Sequence, residues 1–116
     1  MDLFDKNGQP VAYIRDGYLH YWDGTPAAYV QNDAVYSLKR DLVSYLVNGW
    51  IIDRSGHAVV FSEDAAGGPM KPGRGMTPLK PFAPLQPIAP LMTLPALRPL
   101  QTMNWSRFSL KELLDH

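Results

Sequence analysis

Residues 3–66 divide without a gap into four blocks of sixteen: LFDKNGQPVAYIRDGY (3–18), LHYWDGTPAAYVQNDA (19–34), VYSLKRDLVSYLVNGW (35–50) and IIDRSGHAVVFSEDAA (51–66). A fixed internal period decides the fold before any single residue does. One column is aromatic, reading Tyr13, Tyr29, Tyr45 and Phe61, and two residues before it stand Val11, Ala27, Val43 and Val59. The blocks open on Leu3, Leu19, Val35 and Ile51. One turn column holds Asp16, Asn32, Asn48 and Asp64, and another holds Gly8, Gly24 and Gly56, broken only by Arg40.

Each block reads as two short strands and two tight turns. Asp5-Lys6-Asn7-Gly8 and Asp53-Arg54-Ser55-Gly56 share the pattern Asp-x-x-Gly, with Asp favoured at the first turn position and Gly at the fourth. Asp16-Gly17, Asn32-Asp33 and Asn48-Gly49 suit two-residue hairpins, whose central residues both need positive φ. Between turns the residues alternate, as in Val11-Ala12-Tyr13-Ile14, the period of half-buried strands. Pro10 and Pro26 fall at strand starts, where a missing N–H costs least. The expected fold is all-β: four sixteen-residue β-hairpin repeats in an antiparallel meander around a pseudo-fourfold axis. Radial repetition leaves only short exposed edges. Which column faces the axis stays open at this level.

The unit D-x-x-G-x-P-V-A-Y-I with its D-G turn resembles the bacterial four-fold β-flower proteins. So do Val60-Phe61, Gly67-Gly68-Pro69, the Pro-x-x run and Asn104-Trp105-Ser106, and the likeness covers nearly the whole chain. The resemblance implies a fold and no chemistry: no activity, ligand or functional residue comes with it. The third block departs from the pattern at Lys39-Arg40-Asp41-Leu42, where turn glycine and following proline are replaced, so a wider hairpin is expected there.

The chain has 116 residues, 46% of them hydrophobic, with no cysteine and a net charge of zero. Disulfide staples, thiolate metal sites and cysteine nucleophiles are therefore excluded. No apolar run approaches the roughly 20 residues of a membrane span, and the acidic, turn-like start is not that of a secretory signal; a cytoplasmic location is expected. The zero conceals a split. Residues 1–66 carry five basic and nine acidic side chains (5 − 9 = −4), and residues 67–116 carry six and two (6 − 2 = +4). Opposed halves attract, within the chain or between copies. The expected organisation is a four-repeat β domain (1–66), a Pro-rich arm (67–104) and a short docking helix (105–116).

Pro69, Pro72, Pro78, Pro81, Pro84, Pro87 and Pro90 keep a period of three, with Gly75 on the missing rung, and the run ends irregularly at Pro95 and Pro99. Polyproline II has three residues per turn, so the prolines form one stripe. The residues after them (Met70, Leu79, Phe82, Leu85, Ile88, Leu91) form a second, apolar stripe. At about 3.1 Å per residue the steps from Pro69 to Pro90 span roughly 65 Å, whereas a globule of some 66 residues is only about 30 Å wide. The arm therefore wraps its own domain or lies on a second chain. A plain linker and a PxxP ligand are the competing readings. Beyond the arm, Ser109-Leu110-Lys111-Glu112 is a capping box. Leu110, Leu113 and Leu114 share a face of the helix it starts, and Trp105 and Phe108 are its expected anchors.

Nothing in the sequence reads as catalytic, and no cofactor or metal is expected. His20, His57 and His116 lack metal-ligand spacing. Asp5 and Asp53 are explained by their turns, and Asp5-Lys6-Asn7-Gly8 lacks the remaining ligands of a calcium loop. The basic side chains of the arm are too sparse for a nucleic-acid stripe. The leading expectation is a non-enzymatic structural or interaction module, partnered by itself as a homo-oligomer or by an unknown protein, without nucleic acid or membrane. Its candidate interaction residues are Leu79, Phe82, Leu85, Ile88, Leu91 and Trp105. The alternative is a protein that binds a small apolar or aromatic ligand at the column Tyr13, Tyr29, Tyr45 and Phe61.

Overall fold

Turn chemistry and alternation produce eight strands in the computed structural model, which describes residues 1–81, 88–92 and 98–115. They are β1 (Asp2–Phe4), β2 (Pro10–Arg15), β3 (Tyr18–Tyr21), β4 (Pro26–Gln31), β5 (Ala34–Ser37), β6 (Leu42–Val47), β7 (Trp50–Ile52) and β8 (Ala58–Ser62), followed by helix α1 (Leu110–Leu114). Every strand pairs antiparallel with its neighbours in sequence, and β1 meets β8 through Leu3↔Ser62 and Phe4↔Phe61. The meander is thus a closed barrel with no free edge.

The repeat extends to the irregularities. The register shifts between Leu3 and Phe4, Leu19 and His20, Val35 and Tyr36, and Ile51 and Ile52, at the same place in all four blocks. Pro10 and Pro26 open β2 and β4 opposite two of these shifts. Asp16-Gly17, Asn32-Asp33 and Asn48-Gly49 all have φ between 51° and 84°, as the two-residue hairpin demands.

Alternation decides which columns reach the axis. Leu3, Leu19, Val35 and Ile51 pair with Ala12, Ala28, Ser44 and Val60, and all eight are 0% exposed. An eight-stranded barrel has an interior just wide enough for side chains to fill, and setting long residues opposite mostly small ones fills it without crowding. Tyr13, Tyr29, Tyr45 and Phe61 follow these small residues directly, so they stand on the outer face. They are nonetheless buried. Tyr29, Tyr45 and Phe61 join Phe4, Tyr18, Tyr36 and Trp50 in a second apolar cluster outside the barrel. Burial pushes the Tyr36 phenol above its ordinary value, with Tyr45 adding to the shift.

The third block does not widen. Gly8, Gly24 and Gly56 donate their N–H to the carbonyls of Asp5, Tyr21 and Asp53, and Arg40 donates to Ser37 in the same way at 2.8 Å. The reason is that Arg40 itself adopts φ 73°, the conformation its glycine counterparts supply at no steric cost.

Two substitutions test this packing. Arg40→Gly should raise stability by about 0.5–1 kcal/mol, relief of left-handed strain outweighing the entropy glycine adds to the unfolded chain. Ser44 Oγ is buried in the barrel with no hydrogen-bond partner among the described residues. Since the matching positions hold Ala12 and Ala28, Ser44→Ala should stabilise by roughly 1 kcal/mol by removing an unsatisfied group. Urea denaturation measures both, and a destabilised Ser44→Ala protein would show that the hydroxyl is paired.

Candidate functional site

An outer barrel face built from aromatic rings must be taken out of water, and the chain beyond β8 does this. Gly67 and Gly68 turn the backbone at φ 72° and 78°. At Gly68 an added Cβ would lie 3.0 Å from the Trp50 ring, so the arm leaves close against the aromatic face. Its described contacts then follow the order of the strands. Lys71 Nζ donates to the Ala65 carbonyl at 2.8 Å. Arg74 pairs with Glu63 at 2.6 Å and stands over the Phe4 ring. Gly75 N donates to Gly8 O at 2.7 Å, and Trp22 Nε1 donates to Pro78 O at 3.3 Å. Lys80 pairs with Asp2 at 2.9 Å and covers the rings of Tyr13 and Trp22.

Further round, the Gln31 amide clamps the arm from both sides. Its Nε2 donates to Pro90 O at 2.7 Å and its Oε1 accepts from Met92 N at 3.0 Å. Asn48 Nδ2 then donates to Gln101 Oε1 at 3.3 Å, and Thr102 N donates to Gly56 O at 3.0 Å. Gln101 also lies against Gly67 and Gly68, so the last turn of the arm returns to where the first began. The opposed charges of the two halves meet within one chain, since both ion pairs join the arm to residues of 1–66.

Gly8 and Gly56 mark equivalent turns three repeats apart, and the arm residues bonded to them, Gly75 and Thr102, are separated by 102 − 75 = 27 positions. That is nine arm positions per repeat, a multiple of the three-residue period of the sequence. A Cβ at Gly8 would lie 1.9 Å from Gly73 O, and one at Gly56 would lie 2.0 Å from Leu100 O. These glycines thus serve the turn and admit the arm backbone at once.

The exposure of the arm repeats with the same period. Met70, Met76, Leu79, Ile88, Leu91 and Leu100 are each 90% exposed or more, and Met103 is 69% exposed. Pro69 is buried, and Pro72, Gly75, Pro90 and Pro99 are partly covered. The proline stripe is turned toward the barrel at these positions, Pro78 and Pro81 are exposed, and the apolar stripe faces solvent. Of the residues singled out in the sequence, Leu79, Ile88 and Leu91 lie on this ridge, while Phe82 and Leu85 fall outside the described residues. Met76, which follows Gly75 inside the run, also lies on the ridge, and Leu100 and Met103 extend it past the run. Counting through the Gly75 rung finds Met76, and continuing the three-residue count through Leu94 and Leu97 finds Leu100 and Met103; Pro99 keeps the phase that Pro95 breaks.

Trp105 is not on the ridge. It packs edge-on against Trp50 and Phe61, with ring centroids 5.6 and 6.2 Å apart, where the chain forms a parallel bridge to Ala58. Next to it Ser106 donates its hydroxyl to Asp53 Oδ2 at 2.6 Å. The other oxygen of Asp53 accepts from Ser55 N and His57 N, so one buried carboxylate holds both its own turn and the C-terminal segment. The capping box then forms in full at α1. The amide of Ser109 holds the Glu112 carboxyl below its ordinary value, with Lys6 contributing. Leu110, Leu113 and Leu114 join the apolar cluster that fills the barrel, against its end at Ala27, Val43 and Val59. The two described histidines hold the fold: His20 is buried and stacked on Tyr13, its Nδ1 3.1 Å from Gly24 O, and His57 Nδ1 lies 2.7 Å from Thr102 Oγ1.

The column Tyr13, Tyr29, Tyr45 and Phe61 lines none of the three cavities that flank α1. Among the described residues no helix is long and apolar enough to cross a membrane. In comparisons with known proteins, the family model described as 4-fold beta flower protein matches residues 1–114. No curated protein and no solved structure matches.

Removing the Ser106 hydroxyl leaves Asp53 Oδ2 buried without this donor, so Ser106→Ala should cost about 1–3 kcal/mol. Limited proteolysis of that variant should cut the C-terminal segment first. A protein as stable and as resistant as the parent would show that the latch contributes nothing.

Proposed function

The chain belongs to the 4-fold beta flower family, and on that scaffold we propose a non-enzymatic structural and protein-interaction module that self-associates through the outward ridge of its Pro-rich arm. One observation carries the reading: six large apolar side chains of the arm are at least nine-tenths exposed. At on the order of 150 Å² each they expose apolar surface on several sides of the barrel, in a run of large side chains that singly exposed residues on a monomer surface do not form.

A second copy is the partner the charges favour. The protein has zero net charge, so no long-range repulsion separates two copies, a condition that promotes association. Arg74 and Lys80 are engaged by acids of the same chain, which leaves hydrophobic contact as the main attraction between ridges. Ridge against ridge is a self-complementary contact, the kind that builds a closed two-fold dimer.

Light scattering after gel filtration tests this across a range of concentrations. The parent protein should exceed its chain mass of 13.0 kDa and move toward it on dilution. The triple variant Leu79→Ser/Ile88→Ser/Leu91→Ser should remain at the chain mass with its β-sheet circular dichroism unchanged, because these side chains support no part of the barrel. A parent protein at 13.0 kDa at every concentration sinks the proposal.

A further inference from the structure

Sulfur in this chain is thioether alone, since the sequence has five methionines and no cysteine. Methionine is among the residues most often fully buried, yet three of the five stand on the outer ridge of the arm. Met70 is 90% exposed, Met76 95% and Met103 69%. Met92 is the contrast: it is partly buried against the outer aromatic cluster, and its amide is held by Gln31. Met1 is 56% exposed but lies off the ridge, where its terminal ammonium donates to Ile14 O.

The ridge does not need sulfur to be apolar. Leu79, Ile88, Leu91 and Leu100 fill the same row with hydrocarbon, and leucine would serve at the other three positions. What a thioether adds is a reaction. Hydroperoxides convert it to the sulfoxide, a polar and chiral group that can be reduced back. Two of the three positions are also gathered at one side of the barrel. Gln101 lies against Gly67 and Gly68. Met103 follows Gln101 by two residues and Met70 follows Gly68 by two, so they flank the junction where the ends of the arm meet.

We infer that Met70, Met76 and Met103 form an oxidation site through which hydroperoxides loosen the self-association proposed for the ridge, the reading on which this inference rests. Hydrogen peroxide transfers one oxygen to the sulfur as its O–O bond breaks. The sulfur gives up two electrons, and the departing hydroxide takes the proton and leaves as water. The product sets a strong hydrogen-bond acceptor in a row that associates by apolar contact, and burying it without a donor is unfavourable. All three side chains lie mostly in solvent, so the barrel keeps its fold.

The full chain is treated with dilute hydrogen peroxide, its methionines are mapped by peptide mass spectrometry, and its association is followed by light scattering across a range of concentrations. Met70, Met76 and Met103 should each gain one oxygen well before Met92 does. Association should weaken about tenfold with circular dichroism unchanged, and methionine sulfoxide reductase should restore it. Met70→Leu/Met76→Leu/Met103→Leu, which keeps the volume and apolar character of the row, should associate as the parent does and continue to do so in peroxide. Three results overturn the inference: Met92 oxidised as fast as the ridge, an oxidised parent that associates as tightly as before, or a triple variant that loses association in peroxide just as the parent does. Each of these leaves self-association itself standing. An untreated parent that is monomeric at every concentration removes self-association and the oxidation site together.

Discussion

A closed barrel of eight short strands has two apolar surfaces to satisfy, and only one of them is inside. Its interior takes one residue in two from each strand, and the rest point outward. Here the outward set is aromatic: Tyr18, Tyr29, Tyr36, Tyr45, Trp50 and Phe61 are all buried although they face away from the axis. An uncovered face of that kind would expose several hundred Å² of rings. The arm, the return strand at Trp105 and the contacts at Gly8 and Gly56 follow from that requirement. The arm is not an appendage to a finished domain but a second layer over it.

Symmetry in the barrel and asymmetry in the cover divide the work. Four equivalent positions (Asp5, Tyr21, Ser37 and Asp53) precede the four turns, each differently employed. Asp5 caps its own turn, Tyr21 buries its hydroxyl beside the C-terminal helix, and Ser37 Oγ accepts from Asp41 N. Asp53 alone also holds Ser106. A tail that must dock once, at one azimuth, cannot be positioned by a fourfold surface whose repeats are identical. The departures from the repeat supply the missing information, and Asp53 fixes where the circuit ends.

The barrel was legible because its signals are local. Turn pairs such as Asp16-Gly17 and the two-residue alternation depend on neighbours in sequence, and the sixteen-residue period repeats them four times. The capping box at Ser109 was legible for the same reason. Arg40 misled because a residue type was taken to dictate a backbone conformation, whereas the surrounding pairing holds arginine at φ 73°. The face of the aromatic column was not legible, because alternation gives two sets and does not say which is inner. The small residues Ala12 and Ala28, opposite Leu3 and Leu19, carried that information. The clamp at Gln31 has no local signature, since its partners are about sixty residues away.

The same geometry explains why a covering layer leaves something uncovered. A ribbon with a three-residue period has three rows of side chains, and a barrel beneath it can hold only the rows that face it. Prolines suit the inner row, being flat, apolar and without an N–H to satisfy, while Lys71, Arg74 and Lys80 occupy a flanking row and reach acids or carbonyls of the barrel. The third row has nothing to cover. Solvent alone would favour polar residues there, yet at its described positions that row is Met, Leu and Ile from Met70 to Met103, with Gly73 the one exception. The barrel does not account for that choice, because six of those side chains are nine-tenths or more exposed, and the self-association proposed for the ridge is the reading that gives them a use.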